Sequence, residues 1–217
     1  ATDAAVLRFG DSVGLTSPTS LAPYERVHQI PFNSKNKWML TLHRDPKSTK
    51  EFILYVKGAP DVLLDRCATY WSAVHNAVRP LDGEAREKFS NFQAKLSRRA
   101  ERVIVICQRR YIPRSAPGSN NFSNEMIDHG VQDLTVLGIF GIVDPPRPET
   151  ASTVAACRKA GIRFFMVTGD FGLTAAAIAR EIGIYDGQAE PDTIEELRDG
   201  LDPSMEVKVP KSRHSLL

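Results

Sequence analysis

Two places in the sequence put polar side chains directly after an apolar run, where a strand would end. Lys57 and Gly58 follow one such run. This places an ammonium group at the rim of a sheet beside a residue without a Cβ, so a ligand can approach the backbone closely. Thr168, Gly169 and Asp170 follow a second run, and α/β sheets bind their ligands at the carboxyl ends of strands. Both places are candidates for binding a charged group.

A nucleotide is one ligand that such places can hold, although each signal also has a simpler interpretation. No Gly-x-x-x-x-Gly-Lys loop is present, so an aromatic face and separate cations would have to hold the nucleotide. The ring of Phe32 can stack on any base, but a phenylalanine at the start of a strand is commonly a core residue. Lys57 can equally be a solvated strand end, and the nearby Lys37 an exposed loop lysine.

Other chemical motifs in the chain are weak. Asp170 begins an Asp-Phe-Gly triplet as in protein kinases, but neither a His-Arg-Asp loop nor a glycine-rich loop precedes it. The three cysteines are Cys67, Cys107 and Cys157. They are widely spaced within apolar or helical stretches, which predicts reduced thiols instead of disulfides. The five histidines show no metal-ligand spacing, so we expect no metal site within the chain.

Composition limits the classes of protein that the chain can belong to. Its 217 residues, of which 42% are hydrophobic, are enough for one large domain or two small ones. The formal charge of +2 gives no indication of a nucleic-acid partner. No apolar run approaches the ~20 residues of a membrane helix, and no signal peptide is evident. Neither end resembles a domain boundary, so we expect a fragment of a larger protein.

The first half of the chain has the pattern of an antiparallel sheet with helices. A linker rich in small residues and proline is predicted over Gly10–Pro23. A longer helix is expected to begin at Asp82, because aspartate is a good N-cap. Strands are predicted at Arg26–Ile30, Trp38–His43, Glu51–Val56 and Val103–Cys107, a short helix after Pro60, an apolar helix face at Ala85, Phe89, Phe92 and Leu96, and a loop over Tyr111–Gln132.

From Leu134 onward the pattern of apolar and polar residues changes. Near-continuous apolar strands that alternate with helices are typical of a parallel α/β sheet. The predicted elements are strands at Leu134–Val143 and Ile162–Val167 and helices at Thr150–Ala160 and Gly172–Ile182. We therefore predict an α+β fold, an antiparallel sheet flanked by helices, followed by a partial α/β Rossmann-like segment. The piece that ends near Gln132 is expected to fold alone.

Five separated segments resemble the P-type cation-transporting ATPases, in the order of that family. Two prolines that follow Asp144 resemble the hinge of the family, and the Asn-Ser-x-Asn-Lys form looks most like the sodium/potassium and proton/potassium (type II) pumps. The five segments are Ala-Thr-Asp-Ala-Ala at 1–5, Ile-Pro-Phe-Asn-Ser-Lys-Asn-Lys at 30–37, Lys-Gly-Ala-Pro-Asp at 57–61, Asp-Pro-Pro-Arg at 144–147 and Met-Val-Thr-Gly-Asp at 166–170.

The resemblance assigns a role to each candidate residue. It implies that Phe32 stacks on adenine and that Asp3, at a position where the family usually has glutamate, accepts a hydrogen bond from the adenine amino group. Met39 stands where the pattern usually has glutamine. Thr168 would hold the transferred phosphoryl group together with Gly169 and Asp170. The remaining implied nucleotide ligands are Lys37, Lys57, Gly58, Arg102 and Arg147.

The resemblance also implies the domains and the parent protein. It predicts a nucleotide-binding domain over 1–133 and part of a phosphorylation domain over 134–217, haloacid-dehalogenase-like, with the hinge at 144–149. The expected ligands are ATP and Mg²⁺, with the magnesium ligands outside this chain. The expected partners are the actuator domain, the rest of the phosphorylation domain and the transmembrane helices of a pump, with the chain on the cytoplasmic face of the plasma membrane.

The phosphorylated aspartate of the family lies in an Asp-Lys-Thr-Gly-Thr motif, which this sequence lacks. We therefore expect the chain by itself to bind nucleotide without turnover. One alternative is a stand-alone, non-catalytic nucleotide-binding or scaffold protein derived from a pump. Another is a haloacid-dehalogenase-type phosphatase, but that class needs an Asp-x-Asp strand end, which we do not find.

Overall fold

A computed structural model describes residues 2–15, 24–163 and 165–185. Part of the predicted linker and residues 186–217 of the predicted second domain lie outside these ranges. The chain divides into two compact units. The first comprises Ala1–Gln93 and Val103–Ile142, and the second comprises Ala94–Arg102 and Val143–Leu217.

A seven-stranded sheet dominates the first unit. Its strands are β1 (Arg26–Ile30), β2 (Trp38–Arg44), β3 (Phe52–Gly58), β4 (Cys67–Ser72), β5 (Ala77–Pro80), β6 (Glu101–Tyr111) and β7 (Leu134–Val143). Their order in the sheet is β1-β2-β3-β6-β7-β4-β5. The helices among the described residues are α1 (Thr2–Ser12), α2 (Pro60–Leu63), α3 (Gly83–Ser97), α4 (Phe122–Glu125), α5 (Thr150–Lys159) and α6 (Gly172–Glu181), with a 3₁₀ turn at Leu64–Arg66 and a π-helical turn at Met126–Gly130.

The first three strands form an antiparallel meander, as the sequence predicts. Asp45 closes the turn between β2 and β3, since its carboxylate accepts a hydrogen bond from Lys47 N at 2.9 Å and its carbonyl accepts one from Ser48 N at 3.1 Å. Successive residues of β2 face opposite sides of the sheet. The side chains of Trp38, Leu40 and Leu42 are buried on the core side.

Strands β4 and β5 are absent from the sequence prediction and make the sheet mixed. They form an antiparallel hairpin, and β4 pairs in parallel with β7. The hydroxyls of Thr69 and Thr135 meet across that parallel pair at 2.8 Å. Strand β7 therefore lies inside the sheet of the first unit, between β6 and β4, and is not the start of a separate parallel sheet. The units divide after Ile142, whereas the sequence-based boundary falls at 133.

One core holds the first unit together. Trp38 and Phe122 are its largest fully buried side chains, and burial of side chains of this size stabilises a fold by roughly 1.5–3 kcal/mol each. The other fully buried members come from four strands, the helical segments and the loop that precedes β7. They are Leu40, Leu42, Leu54, Val56, Leu63, Val105, Cys107, Met126, Val131, Leu134 and Val136.

Helix α3 confirms most of its predicted pattern. The carboxylate of Asp82 accepts a hydrogen bond from Ala85 N at 2.9 Å, as an N-cap does. Ala85 and Phe89 pack against the core. Phe92 was predicted on the same face, but 47% of it is exposed, and Gln93 is buried instead. The apolar stripe continues at spacings of four residues, which puts position 93 on the inner face.

A buried carboxylate organises the predicted loop over Tyr111–Gln132. Glu125 in α4 accepts hydrogen bonds from the Tyr111 hydroxyl at 2.8 Å, from Arg114 N at 2.7 Å and from Ser115 N at 2.8 Å. Burial alone raises the pKa of Glu125, but these bonds outweigh it and lower the pKa to about 2. The loop is thus tied to the end of β6 through one ionised side chain.

The second unit contains α5 and α6 among its described residues, close to their predicted bounds. The strand predicted at Ile162–Val167 is wrong for the residues that the structure describes. Ile162, Phe165 and Val167 belong to no strand and are exposed, Val167 to 87%. The predicted Rossmann-like segment is not confirmed. No helix among the described residues combines the length and apolar character that crossing a membrane requires.

Candidate functional site

A tight turn between β1 and β2 contains two predicted nucleotide ligands, Phe32 and Lys37. The Asn33 side chain accepts a hydrogen bond from Asn36 N at 2.7 Å, and its carbonyl accepts one from Lys37 N at 2.9 Å. Lys37 ends the turn in the left-handed region with φ of 58°, which is uncommon for a residue with a side chain. The turn is therefore closed by its own asparagine before any ligand binds.

This turn packs closely against Gly58. A Cβ at Gly58 would lie 2.5 Å from the Lys37 carbonyl oxygen and 2.7 Å from Trp38 Cβ. The same carbonyl accepts a hydrogen bond from Ala59 N at 3.0 Å. The group that lies close to Gly58 is the protein's own chain, and the predicted approach of a ligand there stays a prediction.

Lys57 and Met39 face each other on the sheet surface opposite the core. They are partners in the register of β2 and β3, and both are half-buried. The Nζ atom of Lys57 forms an ion pair with Oδ1 of Asp3, at the start of α1. Lys57 thus lies next to both Asp3 and Met39, and the implied roles of the three residues as nucleotide ligands stay predictions.

Phe32 lies at the start of the turn, with 60% of its surface exposed. This exposure argues against a core role for Phe32, because a core residue at a strand start would be covered, and its stacking on a base stays a prediction. Its ring is available for stacking on a flat partner. Lys37, five residues along, has its ammonium 3.3 Å from Oδ2 of Asp61.

The second unit holds three of the other predicted site residues in one network. Arg102 donates two hydrogen bonds to Asp170, from Nε at 2.9 Å and from Nη2 at 3.4 Å. Thr168 donates its hydroxyl to the same carboxylate at 3.1 Å and accepts from Asp170 N at 3.1 Å. Two-point pairing of guanidinium and carboxylate is among the stronger charge-assisted contacts.

The remaining predicted residues lie at the surface. Gly169 is exposed, and a Cβ there would meet no heavy atom within 4 Å. Arg147 is exposed, and its carbonyl accepts a hydrogen bond from Thr150 N at the start of α5. The intended roles of both residues stay predictions.

Sequence reasoning missed the carboxylates that pair with the predicted cations. Asp61 pairs with Lys37 across 24 residues, and Asp170 pairs with Arg102 across 68 residues. Residues so far apart in the chain carry no local signal of contact. Asp61 was noted only as part of a motif and as the start of a helix, and Asp170 only as a phosphoryl-site residue.

A metal site within the described residues is not supported by their geometry. No three side chains among the described His, Cys, Asp and Glu residues converge in a way that could hold a metal ion. Cys67 and Cys107 lie close to each other with their Sγ atoms 3.5 Å apart, but no third ligand joins them.

The fold and the sequence define the class of protein. Residues 1–149 match the family described as P-type ATPase, cytoplasmic domain N, and the mixed seven-stranded sheet with flanking helices fits that domain. The chain belongs to this family, which confirms the resemblance carried by its motifs.

The relatives are more specific. The sodium/potassium-transporting ATPase subunit alpha of Tetronarce californica is 37% identical over 159 residues, which are 73% of this chain and 15% of that protein. The sodium/potassium-transporting ATPase subunits alpha-2 of Rattus norvegicus and Homo sapiens are each 38% identical over 159 residues, with the same coverage. The chain thus spans about 15% of the length of the curated relatives it matches.

Proposed function

We propose that this chain binds ATP as the nucleotide-binding part of a P-type ATPase that couples ATP hydrolysis to cation transport. The observation that carries this proposal is the exposed ring of Phe32 on a turn that packs against Gly58, next to the lysine of the Lys-Gly-Ala-Pro segment. Membership of the P-type ATPase domain N family supports it.

In this proposal the adenine base stacks on Phe32, and the phosphates form ion pairs with the nearby lysines. Lys37 and Lys57 are paired with Asp61 and Asp3. Ion pairs at exposed sites contribute only about 0–1 kcal/mol, so a polyphosphate can replace the carboxylates at small cost. Such a site predicts a dissociation constant of roughly 10 μM to 1 mM, since one ring and a few cations provide about 4–7 kcal/mol.

The predicted roles of Arg102 and Arg147 as nucleotide ligands remain part of the proposal, with Arg102 reaching the phosphates. For Arg102 that role requires exchange of the Asp170 carboxylate for phosphate. Thr168, Gly169 and Asp170 are proposed to hold the transferred phosphoryl group in the parent protein, since phosphoryl transfer depends on positioning and charge stabilisation. Mg²⁺, when bound with ATP, would neutralise phosphate charge, and its proposed ligands lie outside this chain.

Titration of the full chain with ATP by calorimetry or NMR tests the binding site. We expect Phe32→Ala to weaken binding by about 5- to 150-fold, because stacking on one base contributes about 1–3 kcal/mol. The matched control is Phe92→Ala, which removes another half-exposed phenylalanine outside the predicted site. Equal binding by the wild-type chain and the Phe32 variant would contradict the proposal.

We further propose that the chain alone does not hydrolyse ATP, because it lacks the Asp-Lys-Thr-Gly-Thr nucleophile motif. Incubation with γ-labelled ATP should give neither phosphate release nor phosphoprotein above background. A covalent burst would overturn this part. The alternative, a stand-alone nucleotide-binding or scaffold protein, predicts the same result in this experiment. The flanking reading frame distinguishes the two proposals, because a pump requires the nucleophile motif and membrane spans there.

A further inference from the structure

The turn between β1 and β2 presents two exposed side chains that the core does not hold in place. Phe32, at its start, is 60% exposed, and Lys37, at its end, is exposed as well. An exposed side chain has few packing contacts that could fix its direction. The backbone of the turn therefore decides where the ring and the ammonium group lie.

Asn33 accepts two of the hydrogen bonds that shape this backbone. Its side-chain Oδ1 accepts one from Asn36 N at 2.7 Å, and its carbonyl oxygen accepts one from Lys37 N at 2.9 Å. A side-chain oxygen that accepts from the amide three residues later has the geometry of a helix N-cap. The segment thus has the hydrogen-bond pattern of a single capped helical turn that begins directly after Phe32.

The far end of the turn is less favourable, which makes the cap at Asn33 more important. Lys37 has a φ of 58°, and the left-handed region is disfavoured for a residue with a Cβ. Its carbonyl oxygen accepts a hydrogen bond from Ala59 N at 3.0 Å, which ties this end of the turn to the end of β3. Water competes for each bond of an exposed turn, so any single bond contributes modestly. Without the Asn33 side chain, the turn should be open for a measurable fraction of the time.

We propose that Asn33 is a positioning residue for the nucleotide, because its side chain keeps the turn in the conformation that presents the Phe32 ring and the Lys37 ammonium together. This inference rests on the proposed nucleotide binding. A turn that is already closed binds a ligand without the cost of ordering. If only a fraction of the chains has the closed turn, the apparent dissociation constant rises by the inverse of that fraction.

Calorimetric titration of the full chain with ATP tests this inference. Asn33→Ala should bind ATP about fivefold more weakly than the wild-type chain, the factor that loss of an N-cap typically produces, and should melt within about 4 °C of it. Asn33→Ser should restore most of the affinity, since serine caps about as well as asparagine. The control is Ser34→Ala, which removes a neighbouring exposed hydroxyl of the same turn and should bind like the wild-type chain.

Amide exchange in the nucleotide-free chain reports on the turn itself. The Asn36 amide should exchange faster in Asn33→Ala than in the wild-type chain or in Asn33→Ser. ATP affinity of the alanine variant within twofold of wild type, or equal protection of the Asn36 amide in both, would overturn the inference. A serine variant as weak as the alanine variant, or an alanine variant with a much lower melting temperature, would do the same. Failure of the wild-type chain to bind ATP would instead overturn the proposed function, on which the inference depends.

Discussion

The two units differ in the burial of their apolar runs. In the first unit Leu40, Leu54 and Val105 lie in neighbouring strands and are fully buried. In the second unit the run that contains Phe165 and Val167 forms no strand among its described residues and stays exposed. The apolar runs of the two units have similar composition, but among the described residues only those of the first unit have strands beside them. An apolar run thus becomes a strand only where the chain supplies hydrogen-bonding neighbours.

The largest expected effect on folding concerns β7, which lies between the first unit and the second unit along the chain. A chain that ends at Gln132 lacks β7 and should lose cooperative thermal unfolding, because β6 and β4 are left with unpaired edges. A chain that ends at Glu149 keeps β7 and should melt within a few degrees of the full chain. Circular dichroism melts of both pieces provide the measurement. A well-folded piece ending at Gln132 would restore the sequence-based expectation and contradict the importance of β7.

A pair of leucines in the same strand sharpens this comparison. Leu134 is fully buried, whereas Leu137 is 38% exposed. Leu134→Ala should lower the free energy of unfolding by about 2–5 kcal/mol, and Leu137→Ala by less than about 1 kcal/mol. Urea unfolding of both variants measures the difference. Similar losses at both positions would mean that β7 does not insert one face into the core.

The Glu125 network predicts a smaller effect that depends on pH. Glu125→Gln replaces an acceptor-only carboxylate that faces three donors, so we expect a loss of about 1.5–3 kcal/mol near neutral pH. The pKa of Glu125 falls from its ordinary 4.5 to about 2 on folding. The stabilisation is therefore complete above about pH 4.5 and is lost as the pH falls toward 2.

Unfolding of the wild-type chain and the Glu125→Gln variant at several pH values tests this prediction. The gap between their free energies of unfolding should narrow between pH 5 and pH 2. A gap that stays constant over this range would show that the charge of Glu125 contributes nothing and that only its shape matters.

The smallest expected effect lies in the second unit. Val167→Asp should change the free energy of unfolding by less than about 0.5 kcal/mol, because an exposed side chain loses little contact on substitution. Placing the same charge on a buried strand residue such as Val56 should prevent folding. A severe loss for Val167→Asp would indicate that the run around it is buried after all.

Much of the first unit is predictable from the sequence, because its signals are local. The bounds of β1 match the prediction, Asp82 caps α3, and Asp45 closes a predicted turn. The hairpin of β4 and β5 escaped prediction. Strand β4 shows no regular alternation of buried and exposed residues, and its parallel partner β7 lies more than sixty residues away.

In the candidate site, too, local features are predictable from the sequence, whereas long-range contacts are not. The family resemblance carried by the motifs proposes Phe32, Lys37 and the segment around Lys57 as site residues. The ion pairs with Asp3 and Asp61 depend on which distant segments the fold brings together, and pairwise patterns within one sequence contain no such information. The reason for Gly58 was also hidden, because the atoms that would meet a Cβ belong to a different strand and turn.

The position of β7 also sets the order in which the sheet can assemble. Strands β1 to β3 pair with consecutive neighbours, and β4 and β5 form a local hairpin, so both groups can form early at low cost in loop-closure entropy. The two groups do not contact each other in the sheet, because β6 and β7, which are synthesised later, lie between them. A ribosome that has not yet produced Val143 therefore carries two half-sheets with open edges, a state that chaperones would have to shield.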